Sequence, residues 1–373
     1  MIRRNAMSSN HPHVLLSGGL SGWRKIGGVA ALAMMGLLGG CAREPVIPVP
    51  VRHAEDARLV PPDRVVVLSD GARIPLRVWP AVGKEKGVIL ALHGFNDSRD
   101  AWEIPAPRFS AQGYTLVAPD LRGFGRAPDR SHWAGTARMV RDVQEELTLL
   151  HIEHPGVPVW MMGESMGGAV AMLAATDAAT PPMAGVILLA PAVWHVGPGV
   201  DFPLRLMAAI APEARVSGRE LPVHVVASNN IAALRRLYYD PLTLHTTRLV
   251  ALRGLMDLMN RAAASAGQQV KPTLLVYGDR DQLVPEREMM PVWERLPTSV
   301  RRDVIPGGHH LLLRERDGAQ VADDILAWMK DADAPLPSGG DVAAGTWTAL
   351  HGEELVYPEP LAILPAQMDW LTP

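Results

Sequence analysis

Gly163-Glu164-Ser165-Met166-Gly167 is the stretch of sequence on which the fold assignment rests. It follows the apolar run Val159–Met162, which predicts a buried strand, and it leads into Met166–Thr176, whose composition predicts a helix. A serine between two glycines at a strand-to-helix turn is typical of a nucleophile lifted above a sheet. A glycine-rich turn without function is the alternative for the bare pattern. The flanking strand and helix favour the nucleophile, with the positive end of the helix directed at the oxyanion that forms during reaction.

A nucleophilic serine needs a base that is itself oriented by a carboxylate. Two later segments offer these groups, Gly278-Asp279-Arg280-Asp281 and Pro306-Gly307-Gly308-His309-His310. Each follows a predicted strand, Thr273–Tyr277 and Arg301–Ile305. Because the carboxyl ends of parallel strands meet at one edge of a sheet, both segments are expected near Ser165. The residues alone leave open which aspartate and which histidine act.

From Val65 onward, short apolar runs alternate with helical stretches, which predicts an α/β fold with a mostly parallel, doubly wound sheet. An antiparallel hairpin of Arg64–Leu68 and Ile74–Trp79 opens it. The other predicted strands are Val88–Leu92, Tyr114–Ala118 and Val186–Leu189. The other predicted helices are Ala101–Gln112, Ala137–Glu153 and Asp317–Lys330.

The alternation is interrupted over residues 192–270, which predicts an inserted helical cap. An apolar stripe in its last part indicates core packing more readily than an acyl-chain groove. The stripe comprises Leu249, Leu252, Leu255, Met256, Leu258 and Met259. The body of the fold is predicted over residues 64–330, and residues 331–373 are interpreted as a linker and a loosely ordered extension.

Residues 1–40 contain basic residues followed by the apolar run Ile26–Gly40, and Cys41 comes next. A run of this length suits the core of a signal peptide better than a membrane span, although an uncleaved anchor helix is the alternative. Leu38-Gly39-Gly40-Cys41 resembles the lipobox of bacterial lipoproteins. It implies lipidation of Cys41 and a lipid-anchored protein of the cell envelope, with Ala42 favouring the outer membrane. Residues 41–63 are proline-rich and are interpreted as a stiff tether that could hold the body as far as about 60 Å from the membrane.

Composition excludes several other classes. The chain has 373 residues, of which 36 are basic, 39 are acidic and 48% are hydrophobic, so the main body is globular and not disordered. No basic block supports nucleic-acid binding. The single cysteine excludes an intramolecular disulfide. The sequence contains no zinc-protease helix motif, cysteine cluster, P-loop or dinucleotide-binding glycine motif, so we predict neither a metal nor another cofactor.

Several further stretches complete a resemblance to the α/β-hydrolase superfamily over residues 65–330. They are Leu92-His93-Gly94-Phe95, Asp120-Leu121-Arg122-Gly123-Phe124-Gly125, His154-Pro155-Gly156 and, in the cap, Asp240-Pro241-Leu242. Within the superfamily the chain resembles the monoacylglycerol lipase and lysophospholipase group, also known as serine aminopeptidase-like hydrolases. Two positions depart from that group: Glu164 stands where histidine is common, and Arg126 stands where serine is common.

The resemblance implies a catalytic triad of Ser165, Asp281 and His310. It also implies that the backbone N–H groups of Phe95 and Met166 form the oxyanion hole, whereas the ring of His93 is expected to have a structural role. The expected function is cofactor-independent hydrolysis of lipid esters such as monoacylglycerol or lysophospholipid. The alternatives are an esterase or peptidase for small polar substrates, and a catalytically silent lipoprotein that binds lipid or a partner. The sequence makes no prediction of oligomeric state.

Overall fold

The computed structural model of the protein describes residues 44–195, 198–217, 225–269 and 271–350. The predicted signal peptide and Cys41 lie outside these ranges, as does the end of the chain from residue 351. Within them, no helix combines the length and the apolar character needed to cross a bilayer.

The described residues form an eight-stranded sheet whose strands follow the order β1-β2-β4-β3-β5-β6-β9-β10. These strands are β1 (Arg64–Val67), β2 (Arg73–Trp79), β3 (Gly87–Leu92), β4 (Tyr114–Pro119), β5 (Val159–Glu164), β6 (Gly185–Leu189), β9 (Thr273–Gly278) and β10 (Arg301–Ile305). Strands β1, β2 and β4 pair antiparallel, and the pairs from β4 to β10 are parallel. The predicted α/β class and mostly parallel sheet are confirmed.

Helices cover both faces of the sheet, because the central strands are apolar on both sides. The described helices are α1 (Ala106–Ala111), α2 (Thr136–Glu153), α3 (Met166–Thr176), α4 (Pro198–Ile210), α5 (Ile231–Tyr239), α6 (Leu249–Ala264), α7 (Glu286–Arg295), α8 (Gly318–Lys330) and α9 (Gly340–Leu350). On β3, Val88 and Leu90 face the layer that contains α2 and α3, whereas Ile89 faces the layer that contains α1 and α8. The predicted helix over Ala101–Gln112 is shorter than expected, since α1 begins only after Pro105.

The predicted cap over residues 192–270 extends too far along the chain. Helix α6 packs against α3 and joins the main core, where Leu258 is fully buried. Its apolar stripe is therefore core packing, as expected. Within the described residues, the cap proper contains α4, α5 and a two-stranded antiparallel sheet that the sequence analysis did not predict. Its strands are β7 (Arg215–Ser217) and β8 (Thr246–Arg248).

Residues 44–63 do not form a free tether, which corrects the prediction. They lie against the body and the cap, and we call residues 44–60 the N-terminal strap. The ring of His53 is buried and stacks on Tyr239 of α5 at 5.2 Å between centroids. The Asp56 carboxylate pairs with Arg235 of α5 at 2.7 Å. Apart from the short 3-10 turn Val51–His53, the segment has no helix or strand, and its ionic and aromatic contacts dock it.

The prediction that residues 331–373 are loosely ordered is wrong for residues 340–350. These residues form α9, which packs on β10. The Trp347 side chain is buried, with its ring centroid 4.9 Å from that of Trp293 and 5.3 Å from that of Tyr277. Trp293 also donates its indole N–H to Thr348 Oγ at 2.9 Å. Trp347 is therefore part of the core.

Candidate active site

Ser165 occupies the turn between β5 and α3 with φ 53° and ψ −115°. This left-handed conformation is strained for a residue other than glycine. The turn is so tight that a Cβ at Gly163 would overlap the carbonyl of Gly167, and a Cβ at Gly167 would overlap the carbonyl of Leu92. The two glycines are needed because backbone fills the space around the serine. The Ser165 N–H donates to Leu189 O at 2.9 Å, which ties the strained turn to β6.

Asp281 and His310 form a buried pair at the same edge of the sheet. His310 Nδ1 lies 2.7 Å from Asp281 Oδ2. The other oxygen, Asp281 Oδ1, accepts the backbone N–H groups of Leu283 and Val284 at 2.8 and 2.9 Å, so the carboxylate has a single orientation. His310 Nε2 has no hydrogen-bond partner among the described residues. The ring therefore directs one nitrogen at a carboxylate and leaves the other available.

The electrostatic environment of His310 favours its charged form. Burial alone would lower the pKa of the imidazole. The charge of Asp281 and its hydrogen bond outweigh burial, and the charge of Glu164 adds to them, so the pKa of His310 is raised. A raised pKa makes this histidine a stronger base than an exposed one.

Each of the two alternative residues is engaged elsewhere. Asp279 is exposed and accepts the backbone N–H of Gly307 at 2.6 Å. His309 Nδ1 lies 2.8 Å from Glu315 Oε1. The structure therefore brings together the aspartate and the histidine that the family resemblance selected.

Phe95 and Met166, whose N–H groups are predicted to form the oxyanion hole, lie in the loop after β3 and at the start of α3. Phe95 follows β3 and lines the same cavity as Ser165. Met166 is the first residue of α3, so its N–H has no acceptor within the helix. His93 Nε2 accepts the N–H of Leu121 at 2.9 Å, and its Nδ1 lies 2.7 Å from the Gly94 carbonyl. Both ring nitrogens of His93 are thus used to hold loops, which agrees with the structural role expected for it.

The cap closes over the serine. Leu237 of α5 and Thr243 line the cavity together with Ser165 and His310, and the cavity volume is about 20 Å³. That volume holds about one water molecule. A larger cavity of about 400 Å³ lies at the amino ends of β9 and β10, where Arg301 and Asp341 are among its lining residues. The chemistry belongs to the small cavity, because both the serine and the histidine line it.

A buried ionic cluster adjoins the serine, and sequence reasoning missed two of its three members. Arg314 pairs with the Glu164 carboxylate and lies 2.8 Å from Asp97 Oδ2. Burial raises the pKa of Glu164 even though Arg314 beside it acts in the opposite direction. Glu164 itself was noted only as a departure from the family's histidine. Its place at the end of a buried strand was the available signal, since a buried carboxylate needs a partner.

A metal site was not predicted. Across the described ranges, no group of three or more His, Cys, Asp or Glu side chains is arranged to hold a metal ion.

The family model described as serine aminopeptidase, S33, matches residues 83–317, which is more than half of the chain. The chain belongs to this family of α/β-hydrolases. It is therefore a hydrolase, and the family match spans every element that carries the candidate site residues. The N-terminal strap and α9 lie outside the matched segment.

The relatives of this S33 hydrolase include monoacylglycerol lipases. The protein named monoacylglycerol lipase from Mycolicibacterium smegmatis is 27% identical over 266 residues, which are 69% of this chain and 93% of that protein. Human monoglyceride lipase is 25% identical over 276 residues, which are 72% of this chain and 90% of that protein.

Solved structures show the same fold. A soluble variant of monoglyceride lipase from Saccharomyces cerevisiae, in complex with a substrate analog, superposes with a TM-score of 0.60 at 21% identity. The alignment covers 77% of this chain and 98% of that one. The monoacylglycerol lipase of Paleococcus ferrophilus superposes with a TM-score of 0.59 at 19% identity, over 69% of this chain and 98% of that one.

Proposed function

We propose that this ester hydrolase cleaves lipid esters, with monoacylglycerol or lysophospholipid as substrate, through a triad of Ser165, His310 and Asp281. The observation that carries the proposal is the Asp281–His310 pair, whose free Nε2 shares a small cavity with Ser165. The monoacylglycerol lipases among the relatives support a lipid ester as the substrate class.

The mechanism follows from the roles of these groups. Ser165 Oγ attacks the ester carbonyl and transfers its proton to His310 Nε2, while Asp281 holds the imidazole in the required tautomer. The N–H groups of Phe95 and Met166 donate to the oxyanion of the tetrahedral intermediate. The intermediate collapses to an acyl-enzyme, and the leaving alcohol takes the proton from His310. Water then repeats the sequence and releases the fatty acid.

The small size of this cavity bears on the substrate. A volume of about 20 Å³ does not accommodate an acyl chain, so a long-chain substrate requires the cap segment with Leu237 and Thr243 to move. Movement of a cap that then excludes water is common among enzymes that form reactive intermediates. The same small cavity favours a second candidate, an esterase for short, polar esters.

Hydrolysis of an ester series from two to sixteen acyl carbons tests the proposal, with Ser165→Ala measured alongside. We expect kcat/KM to rise with acyl length and to fall by at least about a thousandfold in Ser165→Ala. A maximum at the shortest esters would support the second candidate. Activity that survives in Ser165→Ala would refute the triad, and the absence of serine-dependent activity on every ester would favour the silent lipoprotein.

We also propose that Cys41 carries a lipid that anchors the protein to the cell envelope. The lipobox-like segment supports this, and Ala42 favours the outer membrane. Because the N-terminal strap is docked from Glu44 onward through its ion pair with Arg130, only two residues separate Cys41 from Glu44, a span of about 10 Å. The anchored enzyme would therefore lie next to the bilayer, close to a source of lipid esters.

A further inference from the structure

Arg314 connects three segments that each carry a group of the proposed triad or oxyanion hole, so the inference drawn from it rests on that proposed site. Its guanidinium contacts the carboxylate of Glu164 at the end of β5. It also contacts Asp97 in the loop after β3, with 2.8 Å between a guanidinium nitrogen and Asp97 Oδ2. These partners are 150 and 217 residues away in the sequence. One side chain therefore joins the loops of β3, β5 and β10.

The position of each member relates the cluster to the chemistry. Glu164 immediately precedes Ser165, Asp97 follows Phe95 by two residues, and Arg314 ends a short 3-10 turn four residues after His310. The loop after β3 also approaches the serine closely. A Cβ at Gly94 would lie 3.5 Å from Ser165 Cβ and 3.6 Å from Glu164 Oε1.

The cluster is almost wholly removed from water. The exposed fractions of Arg314, Asp97 and Glu164 are 5%, 5% and 2%. Burial alone would lower the pKa of Arg314, but the two carboxylates outweigh burial and raise it, so the guanidinium stays charged. Replacing a buried ion pair by apolar side chains is often neutral or stabilising, so stability alone does not account for three buried charges beside the nucleophile.

We propose that Arg314 is a positioning residue that clamps the oxyanion loop and the histidine loop against the nucleophile elbow by binding Asp97 and Glu164 with one guanidinium. A planar guanidinium suits this role because its fixed fork can serve two carboxylates in defined directions, whereas the lysine ammonium is a single flexible charge. Loosening the clamp displaces the Phe95 N–H from the position that the oxyanion will occupy.

The two carboxylates have different effects on His310. The charged groups that act on its imidazole are Asp281 and Glu164, which favour the protonated form, and Arg314, which opposes it. Asp97 contacts Arg314 from the far loop and is not among the main groups that act on the imidazole. Removing the Glu164 charge therefore destabilises the imidazolium more than removing the Asp97 charge does.

The test compares Glu164→Gln, Asp97→Asn, Arg314→Lys and Arg314→Met in the whole protein. The main readout is the rate at which Ser165 reacts with a fluorophosphonate, measured against pH. In this reaction the Ser165 Oγ–phosphorus bond forms, fluoride leaves and the serine proton passes to His310. The reaction needs the nucleophile, the base and the oxyanion donors but not the natural substrate. Ester hydrolysis supplies kcat and KM for the same variants.

We expect Arg314→Met to reduce the labelling rate and kcat by about 10- to 100-fold with KM within about threefold, because oxyanion stabilisation acts mainly in the transition state. Arg314→Lys should recover part of the rate. Glu164→Gln should move the acid limb of the pH profile to lower pH. Asp97→Asn, the matched variant, should lower the rate and move the acid limb less.

Arg122→Met is the control for the loss of a buried arginine, because Arg122 is buried and binds Asp142 through two contacts of 2.8 and 2.9 Å. It should lower Tm without changing the labelling rate at a temperature well below Tm. If Arg314→Met does not fold, the two amide variants, which preserve shape, decide the matter. A wild-type labelling rate in folded Arg314→Met, or wild-type labelling rates in both amide variants, would overturn the proposal.

The labelling experiment separates this proposal from the proposed function. Wild-type protein whose Ser165 does not react refutes both. Wild-type protein that reacts but hydrolyses no lipid ester refutes the proposed substrate alone, and the labelling rates of the variants then support or overturn the clamp.

Discussion

Ser165 is held in a conformation that costs free energy, and its surroundings show how that cost is offset. Its carbonyl accepts the N–H groups of Ala169 and Ala192 at 3.0 and 2.9 Å, and its own N–H is bound by Leu189 O. Strain of this kind persists only where neighbouring hydrogen bonds and packing determine the backbone. These hydrogen bonds therefore keep Ser165 in its strained turn, where it lines the small cavity, and prevent it from adopting a helical conformation.

At the same scale, the adjacent histidines form a matched pair for mutation. We expect His310→Ala to lower kcat/KM for a short ester by about a thousandfold or more, because the base that accepts the serine proton is lost. His309→Ala should remain within about threefold of wild type, since His309 bonds Glu315 and not Asp281. Steady-state kinetics of both variants, with circular dichroism to verify folding, provides the measurement. A larger loss in His309→Ala than in His310→Ala would contradict the assignment of the base.

At the scale of elements, the N-terminal strap supports the part of the cap that covers the serine. Ile47 and Ala57 of the strap pack against the apolar cluster that contains Leu237 and Leu311. Leu237 lines the cavity, and Leu311 follows His310 directly. The strap thus contacts the same small cluster that closes the site.

This arrangement predicts that the strap restrains α5. In Asp56→Ala, Arg235 loses its ion-pair partner, and we expect hydrogen exchange of the α5 amides to accelerate by about three- to tenfold because local opening becomes easier. Glu55→Ala is the matched control, since Glu55 is the exposed neighbouring acid. Equal exchange in the two variants would mean that the ion pair contributes nothing to the docking of the strap.

Helix α9 is held beside an unusual carboxyl group. Asp303 on β10 is fully buried, and neither carboxyl oxygen has a hydrogen-bond partner among the described residues. Burial, together with the charges of Asp324 and Asp341, raises the pKa of Asp303 to about 8. In the folded protein this carboxyl group therefore stays protonated at neutral pH.

The consequence is a defined pH dependence of stability. The unfolded chain releases the Asp303 proton near pH 4 and the folded chain only near pH 8, so this group lowers the free energy of unfolding as pH rises between those values. Asp303→Asn removes that loss. The free energy of unfolding of the variant minus that of wild type should therefore increase by ~2 kcal/mol or more from pH 5 to pH 9.

Urea unfolding at pH 5, 7 and 9 measures this difference. Asp333→Asn, at an exposed acid between α8 and α9, is the control and should show no such trend. A gain for Asp303→Asn that does not change with pH would indicate that Asp303 is already ionised in the folded state.

At the scale of the whole molecule, the body is one layered unit with the strap docked on it, and the proposed anchor at Cys41 lies outside the proposed active site. We expect Cys41→Ser to move the full-length protein from the membrane fraction to the soluble fraction, because the acyl anchor is lost. Its kcat/KM on a short soluble ester should stay within about twofold of wild type. Fractionation with activity assays measures both. Retention in the membrane fraction would instead support an uncleaved anchor helix at residues 1–40.

The sequence by itself determined the features that depend on local backbone patterns. The apolar strands, the elbow glycines around Ser165 and the order of serine, aspartate and histidine identified the fold and three strand ends. The resemblance to the family then selected Asp281 and His310. Each such pattern involves residues that are close together in the sequence, so it can be recognised without a structure.

Tertiary structure decided what depends on contacts between distant segments. Only the packed sheet edge brings Arg314 to Glu164 and Asp97, and only docking turns the proline-rich strap into part of the cap support. The same holds for Trp347, which gains its partners when α9 lies on β10. The proline content of the strap and the polar linker before α9 did not predict these contacts. Side chains far apart in the sequence pair only when the folded sheet brings their loops together.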